Sequence, residues 1–369
     1  MGVYMKNWSN IISFLLIVVG GCLPPTSSLE GCTGLQLQSE DGLHVSGRTL
    51  EFGIKIDSYA VVVPRGYSFT GTTPLGEGLK YQAKYGAVGS MCFDNPAMMD
   101  GMNEKGLQVG TFYFPEFAEY TPVTAENQSK GLSPVEFPNW LLTQFATVEE
   151  VKAGLSGAII VPTVVKEWGP VAAPMHYIVY DKSGKSIVIE PIKGSLVVYD
   201  NPIGVLTNSP GFEWHMSNLR NYVNLSAINA KPLKIDGLTL APFGQGSGLL
   251  GMPGDFTPPS RFVRASIYSV NATPVKGHEE AVFQVFHILN QFDIPVGAIR
   301  QQEGSVMHSD YTQITCVKDP HALKYYFKSY DDQDIRFVDL TKFDLDSKVL
   351  KKANLKTDRS AIDFTAELK

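Results

Sequence analysis

The first 31 residues differ from the rest of the chain, and they restrict which part of it can fold into a domain. They contain only two charged residues, Lys6 and Glu30. Lys6 precedes an apolar run from Ile11 to Val19, which is the order of the n-region and h-region of a signal peptide. The run is shorter than the ~20 residues that cross a bilayer. The sequence therefore predicts an exported protein, periplasmic or secreted, whose folded part begins near Cys32.

Two positions in this leader are candidates for processing. The residues from Val19 to Cys22 resemble a bacterial lipobox, which would make Cys22 a lipid-bearing residue. A later cut between Gly31 and Cys32 would release such an anchor, because the cut lies on the other side of Cys22. We therefore predict a signal peptide plus a short propeptide over residues 1–31 and a transient membrane tether through Cys22. A chance cysteine at position 22 is the alternative.

The remaining residues, 32–369, have the composition of a folded globular protein. The whole chain of 369 residues is 44% apolar, which is enough for a substantial core. Neither an internal repeat nor a low-complexity linker divides it, so we predict a single catalytic domain with a peripheral charged tail from Lys342. The net charge of −6 argues against nucleic acid as a partner.

The pattern of residues along the chain predicts many short strands and few helices. Two runs on either side of Gly42, Leu35 to Gln38 and Leu43 to Arg48, are typical of a β-hairpin. Helix-like spacing of apolar residues covers Glu279 to Phe292, and a capping-box pattern begins at Thr147. Further strands rich in Val, Ile, Tyr or Phe are predicted at 60–64, 87–93, 108–114, 176–180, 186–191, 195–199, 311–318, 323–329 and 335–340.

Cys32 becomes a candidate nucleophile if the leader is removed just before it. Its thiol would attack while its freed α-amine, whose ordinary pKa is about 8, accepts the proton. No separate histidine is then needed. The sequence has no His-Glu-x-x-His pattern, so a metallohydrolase is disfavoured and no metal or cofactor is predicted. The seven histidines form no metal or triad motif: His44, His176, His215, His278, His287, His308 and His321.

Two other cysteines lie in apolar, strand-like segments. Cys92 and Cys316 are expected to behave as small buried hydrophobic residues. A disulfide between them is the alternative that the sequence leaves open.

Five short motifs occur together in the order and spacing of a known family. They are Cys32-Thr33-Gly34, Gly47-Arg48-Thr49-Leu50, Asn103-Glu104-Lys105-Gly106-Leu107, Leu206-Thr207-Asn208-Ser209-Pro210 and Pro259-Ser260-Arg261-Phe262-Val263-Arg264. From Cys32 to about Leu340 the chain resembles the choloylglycine hydrolase family of penicillin V acylases and conjugated bile salt hydrolases, which are N-terminal-nucleophile hydrolases. The resemblance implies a four-layer αββα sandwich of two antiparallel sheets, a homotetramer, and hydrolysis of a linear amide C–N bond through an acyl-thioester.

The resemblance also implies roles for residues around the nucleophile. Cys32 matches the nucleophile itself, and Arg48 matches an arginine that lowers the pKa of the thiol and orients it. Glu51 stands where most members have an Asp that bonds the nucleophile's amino group. The extra methylene keeps the charge and changes the reach.

The remaining implied site residues concern the transition state. Asn208 matches the oxyanion-hole asparagine, and Tyr113 matches a position whose backbone N–H completes that hole. Penicillin V acylases often have Tyr at this position, whereas many bile salt hydrolases have Asn. Arg261 matches a second arginine near the nucleophile, while Arg264 has no matching role.

The expected substrate is a small-molecule amide of penicillin V, conjugated bile salt or acyl-homoserine-lactone type. Some aromatic residues are candidates to line its acyl pocket, although such residues usually belong to a core: Phe52, Tyr67, Phe114, Phe137 and Trp140. A non-catalytic envelope binding protein of the same fold, tethered through Cys22, is the alternative from another functional class. The mass of the mature chain separates the two, because only the enzyme requires a free Cys32.

Overall fold

The computed structural model describes residues 31–93, 97–355 and 361–368. The predictions for the signal peptide and for Cys22 lie outside these residues. The strands are β1 (Cys32–Gln38), β2 (His44–Phe52), β3 (Ser58–Val63), β4 (Ser68–Thr73), β5 (Gly76–Gln82), β6 (Ala87–Cys92), β7 (Met98–Asn103), β8 (Gln108–Tyr113), β9 (Gly131–Leu132), β10 (Ile159–Ile160), β11 (Met175–Tyr180), β12 (Ser186–Ile192), β13 (Ser195–Asp200), β14 (Leu233–Ile235), β15 (Leu238–Leu240), β16 (Ile299–Glu303), β17 (Val306–Asp319), β18 (Lys324–Ser329), β19 (Arg336–Asp339) and β20 (Lys351–Asn354). The α-helices are α1 (Phe137–Gln144), α2 (Val148–Gly154), α3 (Phe212–Asn218), α4 (Pro258–Asn271) and α5 (His278–Leu289).

Two large antiparallel sheets dominate the architecture. The first has the order β1-β2-β17-β18-β19, with β16 also paired to β17, and the second has the order β13-β12-β11-β8-β7-β6-β3-β20. Their inner faces contact each other, for example where the Ser46 hydroxyl of β2 donates to Gln108 Oε1 of β8 at 2.6 Å. The Lys318–Asp100 ion pair also joins the two sheets.

Helices cover the outer face of each sheet. Helices α4 and α5 pack on the first sheet, and α1 packs on β7 and β8 of the second. On α5, residues spaced three or four apart are buried against the sheet, as the sequence pattern predicted: Ala281, Val282, Val285, Phe286 and Leu289. The fold is therefore the predicted αββα sandwich. None of the described helices is long and apolar enough to cross a membrane.

The β1–β2 hairpin places Cys32 at the edge of the interior between the sheets. Its register pairs Cys32 with Leu50 and Gly34 with Arg48. Gly34 has no side chain because Phe112 of the facing sheet fills that space, and a Cβ at position 34 would lie 2.6 Å from the Phe112 ring. A side chain here would separate the two sheets beside the thiol.

Most predicted elements are present, with boundaries shifted by a few residues. The hairpin is confirmed, and the predicted helix from Glu279 forms α5 followed by a 3₁₀ turn. Thr147 Oγ1 accepts from the N–H of Glu150 at 3.1 Å, as the capping pattern predicted, but the Glu150 carboxylate accepts from Ala146 rather than Thr147. The charged tail contributes β20, an edge strand that pairs with β3.

Candidate active site

Cys32, the first residue of β1, has its thiol beside a buried guanidinium group. The Nη2 atom of Arg48 donates to Cys32 Sγ at 2.8 Å, and both residues are at least 95% buried. The other Arg48 nitrogens donate to the backbone carbonyls of Thr49, Met99 and Thr111. These bonds fix the guanidinium from both sheets, so the sulfur has a rigid, positively charged neighbour.

The thiol is nevertheless disfavoured as an anion in this setting. Burial raises the pKa of Cys32, and the nearby charges of Arg48 and Arg261 offset this effect only in part. The sulfur is therefore a protonated thiol until a base takes its proton. The structure retains the peptide bond between Gly31 and Cys32, and a free amine at Cys32 would place such a base on the nucleophile's own residue.

Asn208 lies beside the nitrogen of Cys32. Its Oδ1 atom accepts from Cys32 N at 2.9 Å and from Arg261 Nη2 at 2.7 Å. Its Nδ2 atom donates to the carbonyl oxygen of Tyr113 at 2.8 Å. These three bonds fix which end of the amide is oxygen and which is nitrogen. The amide has two N–H groups, so one remains to stabilise a developing oxyanion.

Arg261, on α4, ties the start of β1 to the helical layer. Its Nη1 atom donates to the carbonyl of Cys32 and to Thr33 Oγ1, and its Nε atom donates to the carbonyl of Phe256. Arg264, one turn later, donates instead to the carbonyls of Pro253 and Asp255. Of the two arginines in the motif, Arg261 is therefore the one that contacts the site.

Glu51 does not make the contact to the Cys32 nitrogen that the resemblance implies. Its Oε1 atom accepts from Thr312 Oγ1 at 2.8 Å, and its Oε2 atom has no hydrogen-bond partner among the described residues. Gly31 occupies the adjoining space, and its carbonyl accepts from the Glu51 N–H at 2.9 Å. Burial raises the pKa of Glu51 to about 7.

A second carboxyl group lies near Arg261, and no sequence motif had identified it. Asp310 of β17 lies above Gly53, where an added Cβ would meet its Oδ1 atom at 2.7 Å. Burial raises the pKa of Asp310 to about 7, and the negative charge of Glu51 adds to the effect while Arg261 opposes it. Arg261 therefore interacts with two carboxyl groups that both disfavour ionisation. The only local sequence signal was the glycine at position 53.

A narrow apolar slot, with a cavity volume of about 20 Å³, opens next to the thiol. It is lined by Cys32, Arg48, Leu50, Glu51, Phe52, Ile56, Met99, Thr111, Tyr113, Trp168 and Met175. The Trp168 ring meets Phe52 edge-on, with centroids 5.8 Å apart, and meets Phe93 in the same way at 5.2 Å. Trp168 ends a short 3₁₀ turn, Lys166–Trp168, between β10 and β11. The sequence around it has no helical or strand periodicity, so no sequence pattern placed it here.

Of the five aromatic residues predicted to line an acyl pocket, Phe52 lines this slot. The other four do not line it. Tyr67 packs edge-on against Phe69 next to a separate cavity. Phe137 and Trp140 are core residues of α1, and Phe114 stacks on a buried histidine.

Two histidines that matched no sequence motif lie against the backbone of Asn208 and its neighbour. His176 Nε2 is 3.0 Å from the carbonyl oxygen of Thr207, and His215 Nε2 is 2.9 Å from that of Asn208. Both side chains are fully buried. In the part of the chain that the structure describes, neither ring forms a hydrogen bond with Cys32.

The other two described cysteines are buried and unpaired. Cys92 and Cys316 are free thiols whose pKa values burial raises to about 12. Neither forms the disulfide that the sequence had left open. Their environment makes both thiols poor nucleophiles.

A buried cysteine at the head of a strand, set in a sandwich of two antiparallel sheets between helices, defines an N-terminal-nucleophile hydrolase fold. The family model for linear amide C–N hydrolases of the choloylglycine hydrolase family matches residues 32–353. The chain belongs to this family and is a hydrolase that acts on linear amide C–N bonds.

Individual relatives come from both branches of the family. The chain is 35% identical over 322 residues to the bile salt hydrolase/transferase of Clostridium perfringens, covering 87% of this chain and 95% of the relative. It is 28% identical over 282 residues to the penicillin V acylase of Pectobacterium atrosepticum, covering 72% and 68% of the two chains.

Solved structures give the same result. A variant of the conjugated bile acid hydrolase from Clostridium perfringens superposes with a TM-score of 0.80 at 34% identity, covering 90% of this chain and 100% of the other. The penicillin V acylase from Agrobacterium tumefaciens gives a TM-score of 0.71 at 25% identity, covering 88% and 92%.

Proposed function

We propose that the mature protein begins at Cys32 and uses this residue as both nucleophile and base to hydrolyse acyl amides. The proposal rests on the hydrogen bonds of Cys32, because its thiol and its nitrogen are each held by a different side chain. Arg48 donates to the sulfur at 2.8 Å, while the Asn208 side chain accepts from the nitrogen at 2.9 Å. Once Gly31 is removed, that nitrogen is an amine next to the thiol.

In the proposed reaction the thiol proton moves to the α-amine and the sulfur attacks the amide carbon. The carbonyl electron pair moves to oxygen, and the resulting oxyanion accepts hydrogen bonds from Asn208 Nδ2 and from the backbone N–H of Tyr113. Collapse of this intermediate breaks the C–N bond, and the α-ammonium group protonates the leaving amine. Water then attacks the acyl-thioester with the α-amine as base, releasing the acid and restoring the thiol.

The strand geometry supports the role of Tyr113. The N–H of the next residue, Phe114, donates to the carbonyl of Pro174 on the side of β11. Because successive N–H groups of a strand point to opposite sides, the N–H of Tyr113 points away from β11. Its own carbonyl already binds Asn208, so the two proposed oxyanion donors are adjacent.

We propose a compact apolar acyl group, such as the phenoxyacetyl group of penicillin V, as the preferred occupant of the slot. The space beside the thiol is about 20 Å³, far below the roughly 300–1,000 Å³ of pockets that enclose drug-sized ligands, so an acyl group enters only if the walls of the slot move apart. A single aromatic ring packed against Phe52 and Trp168 would require a smaller movement of these walls than a steroid would. Conjugated bile salts, the substrates named for several relatives, are the second candidate, and acyl-homoserine lactones are the third.

Replacement of the cysteine tests this function. Wild-type protein should hydrolyse penicillin V faster than glycocholate, taurocholate or a long-chain acyl-homoserine lactone. Cys32→Ala and Cys32→Ser should hydrolyse none of them while unfolding at nearly the wild-type temperature. Cys316→Ala, which removes another buried thiol, is the matched control and should keep its activity. Hydrolysis at the wild-type rate by either Cys32 variant would refute the proposal.

We also propose export of the protein, with removal of residues 1–31 and a transient lipid on Cys22. Fractionation of the native host should recover the chain outside the cytoplasm, and metabolic lipid labelling should mark only a precursor. Assembly into a homotetramer stays a prediction, which light scattering of the mature protein tests.

A further inference from the structure

The segment that carries Asn208 is held from two sides. On one side it pairs with β1, because Leu206 and Gly34 exchange two backbone hydrogen bonds of 2.8 and 3.1 Å. On the other side His176 and His215 contact the next two carbonyl groups, those of Thr207 and Asn208. The backbone is thus restrained immediately before and at the residue whose side chain faces Cys32.

The protonation of His215 follows from its partner. A carbonyl oxygen only accepts hydrogen bonds, so the Nε2 atom of His215 must donate to the Asn208 oxygen. Burial lowers the pKa of His215 to about 4, so the ring is neutral with its hydrogen on Nε2 across the neutral pH range. The ring also stacks on Phe262 of α4, with centroids 4.5 Å apart. The donor is therefore fixed in place.

His176 is fixed by a buried carboxyl group. Its Nε2 atom donates to the Thr207 carbonyl, and its Nδ1 atom lies 3.2 Å from Glu190 Oε1. One proton must lie between these two groups, since two bare lone pairs would repel each other. The same Glu190 oxygen accepts from the N–H of Phe212 at 2.9 Å, which links the pair to the start of α3.

We propose that His176 and His215 are positioning residues that hold the Asn208 side-chain amide at the oxyanion position. The inference rests on the proposed function, because it requires Asn208 to stabilise the oxyanion. Neither histidine touches the thiol in the described structure, so both act through the backbone of Asn208. A misplacement of about 1 Å in such a donor is enough to lower a rate by roughly 100-fold.

The test compares two substitutions of His215 that differ in one donor. His215→Leu removes the hydrogen bond to the Asn208 carbonyl, whereas His215→Gln retains an N–H near the position of Nε2. His287→Leu, on the exposed face of α5, is the matched control. For each variant, kcat and KM are measured with penicillin V and glycocholate, and Cys32 is titrated with iodoacetamide. Rates are counted per natively folded molecule, taken from the amplitude of the thermal unfolding transition, so partial unfolding does not lower them.

The expected result for His215→Leu is a fall in kcat of roughly 10- to 100-fold with little change in KM. His215→Gln should recover most of the loss. The rate of alkylation should stay at the wild-type value in both, because alkylation needs no oxyanion donor. A merely structural role would slow alkylation and hydrolysis together.

Three outcomes overturn the inference. The first is wild-type kcat in His215→Leu while Cys32→Ala is inactive, which leaves the proposed function intact. The second is a loss shared equally by alkylation and hydrolysis. If His215→Leu shows no cooperative unfolding transition, then Glu190→Gln decides, with an expected loss of about tenfold in kcat. An unchanged kcat in Glu190→Gln is the third outcome. Wild-type protein that hydrolyses none of penicillin V, glycocholate, taurocholate and a long-chain acyl-homoserine lactone overturns the proposed function itself, and this inference with it.

Discussion

The two faces of the β1–β2 hairpin meet at the same cysteine but carry different kinds of side chain. The inner face carries the Cys32 thiol, Arg48 and Leu50 and borders the apolar slot between the sheets. The outer face, toward α4, has Glu51 next to Arg261. Because side chains alternate along a strand, one hairpin presents the thiol with one arginine on its inner face and a carboxyl group near a second arginine on its outer face.

The two faces contribute different ionisable groups to the site. On the inner face burial raises the pKa of the Cys32 thiol, so the proposed nucleophile is protonated before reaction. On the outer face burial raises the pKa values of Glu51 and Asp310 to about 7, although Arg261 lies close to both. Asn208 connects the faces, since its Oδ1 atom binds Arg261 and its Nδ2 atom binds the Tyr113 carbonyl.

The largest effect after loss of the nucleophile is expected where the two faces meet. Asn208→Ala should lower kcat by about 100- to 1,000-fold, which is typical for loss of one oxyanion donor, with a smaller change in KM. Steady-state kinetics with penicillin V measure both. Asn201→Ala, which removes a buried asparagine from the nearby turn, should lower stability and leave kcat per folded molecule unchanged. A pure loss of affinity in Asn208→Ala would contradict the oxyanion role.

A second substitution tests the inner face alone. Arg48→Met removes the donor to the sulfur, so we expect a loss of about 100-fold in kcat/KM and a further rise in the pKa of the thiol. The pH dependence of iodoacetamide alkylation measures this pKa. Arg264→Met is the control, because this buried arginine binds the carbonyls of Pro253 and Asp255 outside the site. An unchanged alkylation profile in Arg48→Met would show that the guanidinium does not influence the sulfur.

The buried carboxyl group of Glu51 on the outer face leads to a prediction of how the stability of the protein depends on pH. The folded-state pKa of Glu51, about 7, exceeds the value near 4.3 expected in the unfolded chain. The folded state therefore binds the Glu51 proton more tightly than the unfolded state does. The stability that this proton contributes is lost as the pH rises through 7. In Cys32→Ala prepared with Gly31 still attached, the unfolding temperature should fall between pH 5 and pH 8.

Glu51→Gln in the same background should flatten that fall, because glutamine has no proton to lose. Glu149→Gln is the control, since this exposed carboxylate pairs with Lys185 and its pKa lies below the ordinary value. Differential scanning calorimetry at several pH values measures all three proteins. An unfolding temperature that rises toward pH 8, or an equal slope in Glu51→Gln, would contradict the interpretation of the outer face.

The smallest expected effect concerns the far wall of the slot. Trp168→Ala should enlarge the cavity and shift the ratio of glycocholate to penicillin V turnover upward by a few-fold, as is usual for shape changes in an apolar pocket. Phe69→Ala, beside the separate cavity near Tyr67, should leave the ratio unchanged. A ratio that stays at the wild-type value in Trp168→Ala would remove this residue from substrate selection.

Local motifs predicted the residues that lie near the thiol better than they predicted its surroundings. The motifs that contain Cys32, Arg48, Asn208 and Arg261 identified residues that the fold brings together. Glu51 also lies in the site, yet its carboxylate accepts from Thr312, while the Cys32 nitrogen donates to Asn208.

The rest of the site depends on contacts between distant parts of the chain. Glu51 and Thr312 are 261 positions apart, and Trp168 reaches the slot from a segment without periodicity. Strand β7 escaped prediction because its sequence, Met-Met-Asp-Gly-Met-Asn, contains residues that strands usually avoid. It forms because all six residues are buried and Asp100 pairs with Lys318 of the facing sheet. An ion pair between two sheets cannot be recognised from a local sequence pattern, because its two residues are far apart in the chain.

The most direct test of the central claim is the intact mass of a fully active sample, combined with Edman degradation. We expect a chain that starts at Cys32 with an unmodified α-amine, so that the thiol and its base belong to one residue. A fully active chain whose first cycles read through Gly31 into Cys32 would contradict the claim, because the nitrogen would still be an amide without basic character.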